Sequence, residues 1–333
     1  MLQSNSTPKA LAADILVLMG YDLPSLVFMG TPKFALPSLE ALLSAGAPIL
    51  LVVTQPDRPK GRGRKVAASP VKQLARSRGL QVYQPERVRS PETIERIAGL
   101  NPTCIVVAAY GQLLPDSILK LPALGAVNVH ASLLPKHRGP APIHWTLIQG
   151  ESKTGVTTML MDAGMDTGDI LLQREITIQP DETAGSLHDR LAQEGGALLV
   201  ETLQLLKLGT LKPRPQDDSK ATYAPMLVSE DGGVDWSDDA RRICCRIRGL
   251  DPWPGAFTWW QGKRLKLFGC RSLPLSSSVE PGTVIKAGRE GLLVAAGKGA
   301  VLIGTLQLEG RRSLSVADFL RGYSLQVETR FGE

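Results

Sequence analysis

Residues 125–145 read GAVNVHASLLPKHRGPAPIHW. From Ala126 to His130 the residues alternate with the period of a β-strand, which puts Asn128 and His130 on the same side of it. A Pro- and Gly-studded run follows at once and ends the strand. A carboxamide beside an imidazole at a strand end is either a hydrogen-bonded structural pair or part of an active site. The choice depends on what surrounds it.

Upstream, the runs 26–29, 48–53, 81–83 and 104–108 are short and apolar, the pattern of buried strands. Between them, 34–43, 69–78 and 92–98 have helical spacing, with Pro70 at a position that suits a first turn. Continuously apolar strands alternating with helices specify an α/β domain, a Rossmann-like, mostly parallel sheet covered on both faces. Ligands gather at the carboxyl ends of the strands in such sheets, and the segment NVHAS sits at one of those ends. After the first strand the chain reads GTPKF (30–34) instead of G-x-G-x-x-G. Pro32 stands where a phosphate loop wants a free amide, so a nicotinamide dinucleotide is a poor fit.

From 207 to 225 the sequence turns polar, and Pro213, Pro215 and Pro225 mark an exposed linker. Beyond it, short strand-like runs punctuated by Gly, such as 264–269 and 291–296, suggest a small β-barrel. The 333 residues carry 38 Lys and Arg against 32 Asp and Glu, a net charge of +6. From 207 onward there are nineteen Lys and Arg and fourteen Asp and Glu, so most of the excess lies in the linker and second domain. That bias favours a polyanionic partner. The four cysteines (Cys104, Cys244, Cys245, Cys270) form no C-x-x-C pair, which favours a reducing compartment over a disulfide framework or a zinc site. Residues 1–24 include an apolar run from Leu11 to Met19, interrupted by Asp14 and too short to span a bilayer. They read as an amphipathic extension, and no other segment approaches a membrane span.

Two further stretches carry chemistry. MDAGMDTGD (161–169) sets Asp162, Asp166 and Asp169 among glycines just before an apolar strand. It lacks the order and terminal Glu of a calcium loop. Alone it is an ordinary acidic turn; beside a strand-end His, one of its carboxylates can fix the imidazole's tautomer and raise its basicity. The second, TQPDRPKGRGRKVAASPVK (54–72), holds six cations against the single acid Asp57. It directly follows a core strand, so it hangs at the same sheet edge and suits a substrate that carries phosphates. His130, His137 and His144 are evenly spaced, but the prolines between them forbid one continuous helix, so a metal site is not expected.

Taken together these stretches resemble the methionyl-tRNA formyltransferase family, within the folate-dependent formyltransferase superfamily. The resemblance covers residues from about 25 to 333. It rests on GTPKFALPSLEALL (30–43), TQPDRPKGRGRK (54–65), AAYGQLLP (108–115), NVHASLLPKHRGPAPI (128–143), GVTTMLMDAGMDTGDIL (155–171), DWS (235–237) and DPWPGAFT (251–258). It implies a catalytic domain over 25–208, a linker over 209–228 and an OB-like, tRNA-binding β-barrel over 229–333. The implied reaction moves a formyl group from 10-formyltetrahydrofolate, the co-substrate, to the α-amino group of methionyl initiator tRNA, without a metal. Asn128, His130 and Asp166 match the catalytic trio. Ser132, Leu133, Leu134 and Pro135 match the folate-contacting loop. Arg58, Lys60, Arg62, Arg64 and Lys65 match the loop that engages the acceptor stem, with Arg62 the principal cation. A monomer in a bacterial cytoplasm is implied as well. The family supplies no role for residues 1–24 or for the helix-like His144-Trp145-Thr146.

Other uses of the same trio would be another 10-formyltetrahydrofolate-dependent transfer to a small amine, such as glycinamide ribonucleotide or a nucleotide sugar. Neither gives a reason for the cationic loop or a basic second domain. An inert RNA-binding protein on the same fold gives no reason to keep Asn128, His130 and Asp166 together.

Overall fold

The computed structural model describes residues 22–60, 65–275 and 279–332. The extension 1–24 therefore lies almost wholly outside the described residues. The chain packs as two compact units: residues up to Lys136 with Gly155–Glu175 and Asp189–Ala221, and then His137–Thr154, Ile176–His188 and Thr222–Glu333.

The first unit is built on strands β1 (Leu26–Gly30), β2 (Ile49–Val53), the short pair β3 (Arg58–Lys60) and β4 (Lys65–Ala67), β5 (Val82–Tyr83), β6 (Cys104–Ala108), β7 (Ala126–His130), β8 (Lys153–Leu160) and β9 (Ile170–Thr177). Seven of these form one sheet in the order β5-β2-β1-β6-β7-β8-β9. Pairing is parallel from β5 to β7, and β8 runs antiparallel to β7. The central strands β1 and β6 are buried at every position, as apolar strands covered on both faces must be. Helices Leu36–Ser44, Pro70–Ser77 and Pro91–Gly99 fall on the predicted segments. The latter two begin with Pro after a serine cap: Ser69 Oγ accepts from the Lys72 amide and Ser90 Oγ from Thr93. The core beneath includes Val27, Met29, Val53, Ile97, Ile105 and Ile118. Each such side chain contributes roughly 1.5–3 kcal/mol by leaving water.

The sequence reading had no counterpart for β8 or for the long helix Ala184–Lys207. This helix passes close to the sheet at Gly195, where a Cβ would stand 2.8 Å from Val129 Cγ1. Glycine there lets the helix approach the strand that carries Asn128 and His130.

In the second unit, strands β10 (Phe257–Trp260), β11 (Lys263–Leu273), β12 (Val284–Gly288), β13 (Gly291–Ala295), β14 (Ala300–Leu308) and β15 (Leu314–Ser315) form an antiparallel sheet in the order β10-β11-β14-β13-β12, with β15 on β14. Helices Ala240–Gly249 and Val316–Gly322 cover it, and Trp260, Leu265, Ile243, Ile247 and Phe319 fill its core. The apolar runs at 264–269 and 291–296 are the strands the sequence predicted. The helix-like stretch at 144–146 is part of helix Pro142–Ile148. All four cysteines are free thiols, and burial pushes Cys104 up to about 12, which leaves it unreactive. No described helix is long and apolar enough to cross a membrane.

Candidate active site

β7 ends at His130, and its pleat puts Asn128 and His130 on one face, as the alternation requires. Across the antiparallel pair, Asn128 sits opposite Met159 and His130 opposite Thr157. After β8 the chain turns through 161–169 and brings Asp166 over the end of β7. One Asp166 oxygen, Oδ2, lies 3.5 Å from His130 Nδ1; the other, Oδ1, accepts from Asn128 Nδ2 at 3.5 Å. The carboxylate therefore spans the two strand residues, one oxygen to each. Both contacts are long, as catalytic hydrogen bonds often are before a substrate is seated. His130 is buried and Asp166 is mostly so, with side-chain exposures of 6% and 18%. Their attraction is screened less there than on an open surface.

The turn carrying Asp166 is tightly specified. Asp162 Oδ1 accepts from the Gly164 amide at 3.0 Å and from Thr167 Oγ1 at 2.7 Å. The Met161 amide donates to Ala126 O, and Leu160 N–H donates to Asp169 O. At Gly168 a Cβ would lie 1.9 Å from Leu160 O, so only glycine allows the loop this close to the strand. Asp166 itself takes φ 56°, the left-handed region that Asp tolerates better than most residues. Leu134, Met159 and Ile170 join below in a small buried cluster, tying together the three segments that form the site.

The predicted folate loop lies directly after His130. Thr157, opposite His130, is its hub: its hydroxyl donates to Ser132 O at 2.7 Å and accepts from Leu134 N at 3.1 Å. Gln173 on β9 donates to Leu134 O at 2.8 Å and to Thr157 Oγ1 at 3.1 Å. Sequence reasoning missed both residues. Thr157 lay within the quoted GVTTM motif, but nothing local marked its hydroxyl as the group that shapes the loop.

The cationic segment after β2 forms a hairpin, β3 pairing antiparallel with β4 from Arg58↔Ala67 to Lys60↔Lys65. Arg58 is exposed. Lys60 and Lys65 close the described arms, while Arg62 and Arg64 lie outside the described residues. The hairpin is fastened at its root. Asp57 pairs with the buried Lys72, and Gln84 donates to Asp57 Oδ1 and to Gln55 O, both at 2.8 Å. The Lys72 hydrogen bond, then Gln84, holds the Asp57 carboxyl below its usual range.

Among the described residues no group of three or more His, Cys, Asp or Glu is placed to hold a metal. The second unit has a cavity of about 340 Å³ lined by Asp181, Arg248, Asp251, Cys270, Arg271 and Glu290 among others. Its mixed charges are not arranged as a base beside a nucleophile, so the strand-end trio is the better candidate for chemistry.

Known proteins resemble the chain over most of its length. Residues 25–203 match the Formyl transferase family, and 226–324 match Formyl transferase, C-terminal domain. The chain is 52% identical over 308 residues to the methionyl-tRNA formyltransferase of Geobacter sulfurreducens, covering 92% of this chain and 96% of that protein. It is 51% identical over 308 residues to that of Syntrophus aciditrophicus, covering 92% and 99%. Among solved structures, the N-formyltransferase of Helicobacter canadensis in complex with folinic acid and dTDP-3-aminofucose shares the fold, with TM-score 0.62 and 18% identity over 84% of this chain and 97% of its own. HypX of Aquifex aeolicus in complex with tetrahydrofolic acid has TM-score 0.60 and 19% identity over 92% of this chain, which spans half the length of that protein. The chain belongs to the methionyl-tRNA formyltransferase family.

Proposed function

We propose that this protein transfers the formyl group of 10-formyltetrahydrofolate to the α-amino group of methionine esterified to initiator tRNA. The observation that carries this reading is the carboxylate of Asp166 set between Asn128 and His130 at the end of β7. The methionyl amine attacks the formyl carbon, and negative charge develops on the formyl oxygen. The Asn128 amide donates to that oxygen. His130 takes part through its imidazole, stabilising the same oxygen or accepting the proton that leaves the amine. Asp166 holds the imidazole's orientation. When the tetrahedral carbon collapses, its bond to the folate nitrogen breaks, and that nitrogen takes up a proton.

Ser132, Leu133, Leu134 and Pro135 are the residues to receive the folate, and the hydroxyl of Thr157 supports this loop from below. Arg58, Lys60, Arg62, Arg64 and Lys65 would meet the acceptor-stem phosphates, acting mainly through charge. On this reading 25–208 is the catalytic region, 209–228 a linker and 229–333 a further tRNA-binding region. The protein would work as a monomer in a bacterial cytoplasm.

The test is a formyl-transfer assay with 10-formyltetrahydrofolate, offering methionyl initiator tRNA, free methionine or glycinamide ribonucleotide. Formylation of the charged tRNA alone is expected. Transfer only to a small amine would keep the Asn128–His130 chemistry and overturn the role given to the cationic regions.

A further inference from the structure

From Lys212 to Lys220 every residue is exposed except Gln216. A long polar side chain half-buried within such a run has found a specific seat. Gln216 Nε2 donates to two backbone carbonyls of the acidic loop, Asp166 O at 2.8 Å and Gly168 O at 2.7 Å. One carbonyl is that of Asp166 itself, the left-handed residue, the other lies two residues on, and one carboxamide uses its two N–H groups to hold both. The segment is brought there by a two-bond bridge: Ile170 N donates to Arg214 O at 2.8 Å, and Arg214 N to Ile170 O at 2.9 Å. The loop is thus gripped from two sides, by the close approach of Gly168 to Leu160 and by Gln216.

We propose that Gln216 is a positioning residue for the reaction, fixing the backbone of Asp166 so that its carboxylate stays between Asn128 and His130. The inference rests on the function proposed above. A left-handed Asp has alternative backbone states nearby, and relaxing into one swings its carboxylate away from both partners. Catalytic groups displaced by about 1 Å commonly lose about 100-fold in rate. The segment the sequence marks as a linker thereby contributes to the catalytic geometry of the first unit.

The experiment compares wild-type, Gln216→Met and Gln216→Glu full-length protein in the formyl-transfer assay, with thermal melting as a check on folding. Met keeps the side chain's length and loses both donors. With Gln216→Met, kcat is expected to fall about 10–100-fold while KM for each substrate stays within about threefold, the pattern of an interaction that matters in the transition state. Gln216→Glu keeps the side chain's shape but, ionised at assay pH, faces the two carbonyls with acceptors only, so its kcat should fall at least as far as that of Gln216→Met. The isosteric Glu distinguishes donation from bulk filling even if Gln216→Met folds poorly. Unchanged kcat in folded Gln216→Met overturns the proposal, as does raised KM with kcat intact, or unchanged kcat in folded Gln216→Glu. Wild-type protein inactive on every acceptor overturns the proposed function and this inference with it. An active wild type beside a fully active Gln216→Met overturns the inference alone.

Discussion

The acidic turn after β8 and the cationic hairpin after β2 are built differently. The acidic turn at 161–169 is bonded within itself by Asp162, pressed against β8 at Gly168, and clasped by Gln216. The cationic hairpin after β2 is secured at its root, by the Asp57–Lys72 pair and Gln84, and sends Arg58 into solvent. The difference follows what each must do. A carboxylate that orients an imidazole acts over a few tenths of an ångström, so its backbone must be fixed. Cations that meet a phosphate backbone act through a field extending about 8–10 Å at moderate salt, so they need direction more than exact placement.

Substitutions can break or sharpen this contrast. The largest effect is expected at the fixed end: His130→Ala or Asn128→Ala should lower kcat by roughly 10²–10³-fold or more with the fold intact, by analogy with losing an oxyanion donor. Full turnover in a folded variant would remove the trio from the chemistry. Thr157→Val preserves shape but leaves Leu134 N–H and Ser132 O without their partner. On the order of 2–3 kcal/mol of unfolding free energy should be lost in a denaturant titration, together with weaker binding of a folate analogue.

At the hairpin, Lys72→Met leaves Asp57 without its cation. Lys72 is 8% exposed and Asp57 27%, so the stability lost should lie between that of an exposed pair and that of a buried one. Transfer to tRNA should suffer more than folate-analogue binding; an equal loss in both would mean that the root also shapes the folate site. Arg58→Ala should leave the melting temperature nearly unchanged and reduce the salt slope of tRNA binding by about 0.7–0.9 if Arg58 meets one phosphate.

The smallest effect concerns pH. The Asp57 carboxyl is held below its ordinary value of 3.8, so unfolded protein binds this proton more readily than folded protein. Its stabilisation is complete above that value and is lost as the pH falls through the lower, folded one. Asp57→Asn should therefore flatten the acid limb of the stability profile and leave its neutral region parallel to wild type. A changed slope near pH 7 would show that another group dominates there.

Much of this was legible in the sequence because the signals were local. Apolar runs too short for helices became β1, β2 and β6, Pro70 fell in a helix's first turn, and the alternation in AVNVH put Asn128 and His130 on one face. The long helix Ala184–Lys207 and strand β8 escaped notice. The glycines at 195 and 196 interrupt the helical pattern and are explained only by what packs against them.

The sequence by itself determined the α/β pattern, the strand-end pair, and the residue types available for acid–base chemistry, since these follow from periodicity and side-chain character. The resemblance singled out Asp166 from Asp162 and Asp169, and the fold set it across Asn128 and His130; tertiary structure alone decided that Thr157 and Gln173 shape the loop after them, and that Gln216 reaches back to hold the turn. Each of those pairings joins residues at least sixteen positions apart. A hydrogen bond between distant residues leaves no periodic trace in either segment, and only the folded backbone brings donor and acceptor within reach.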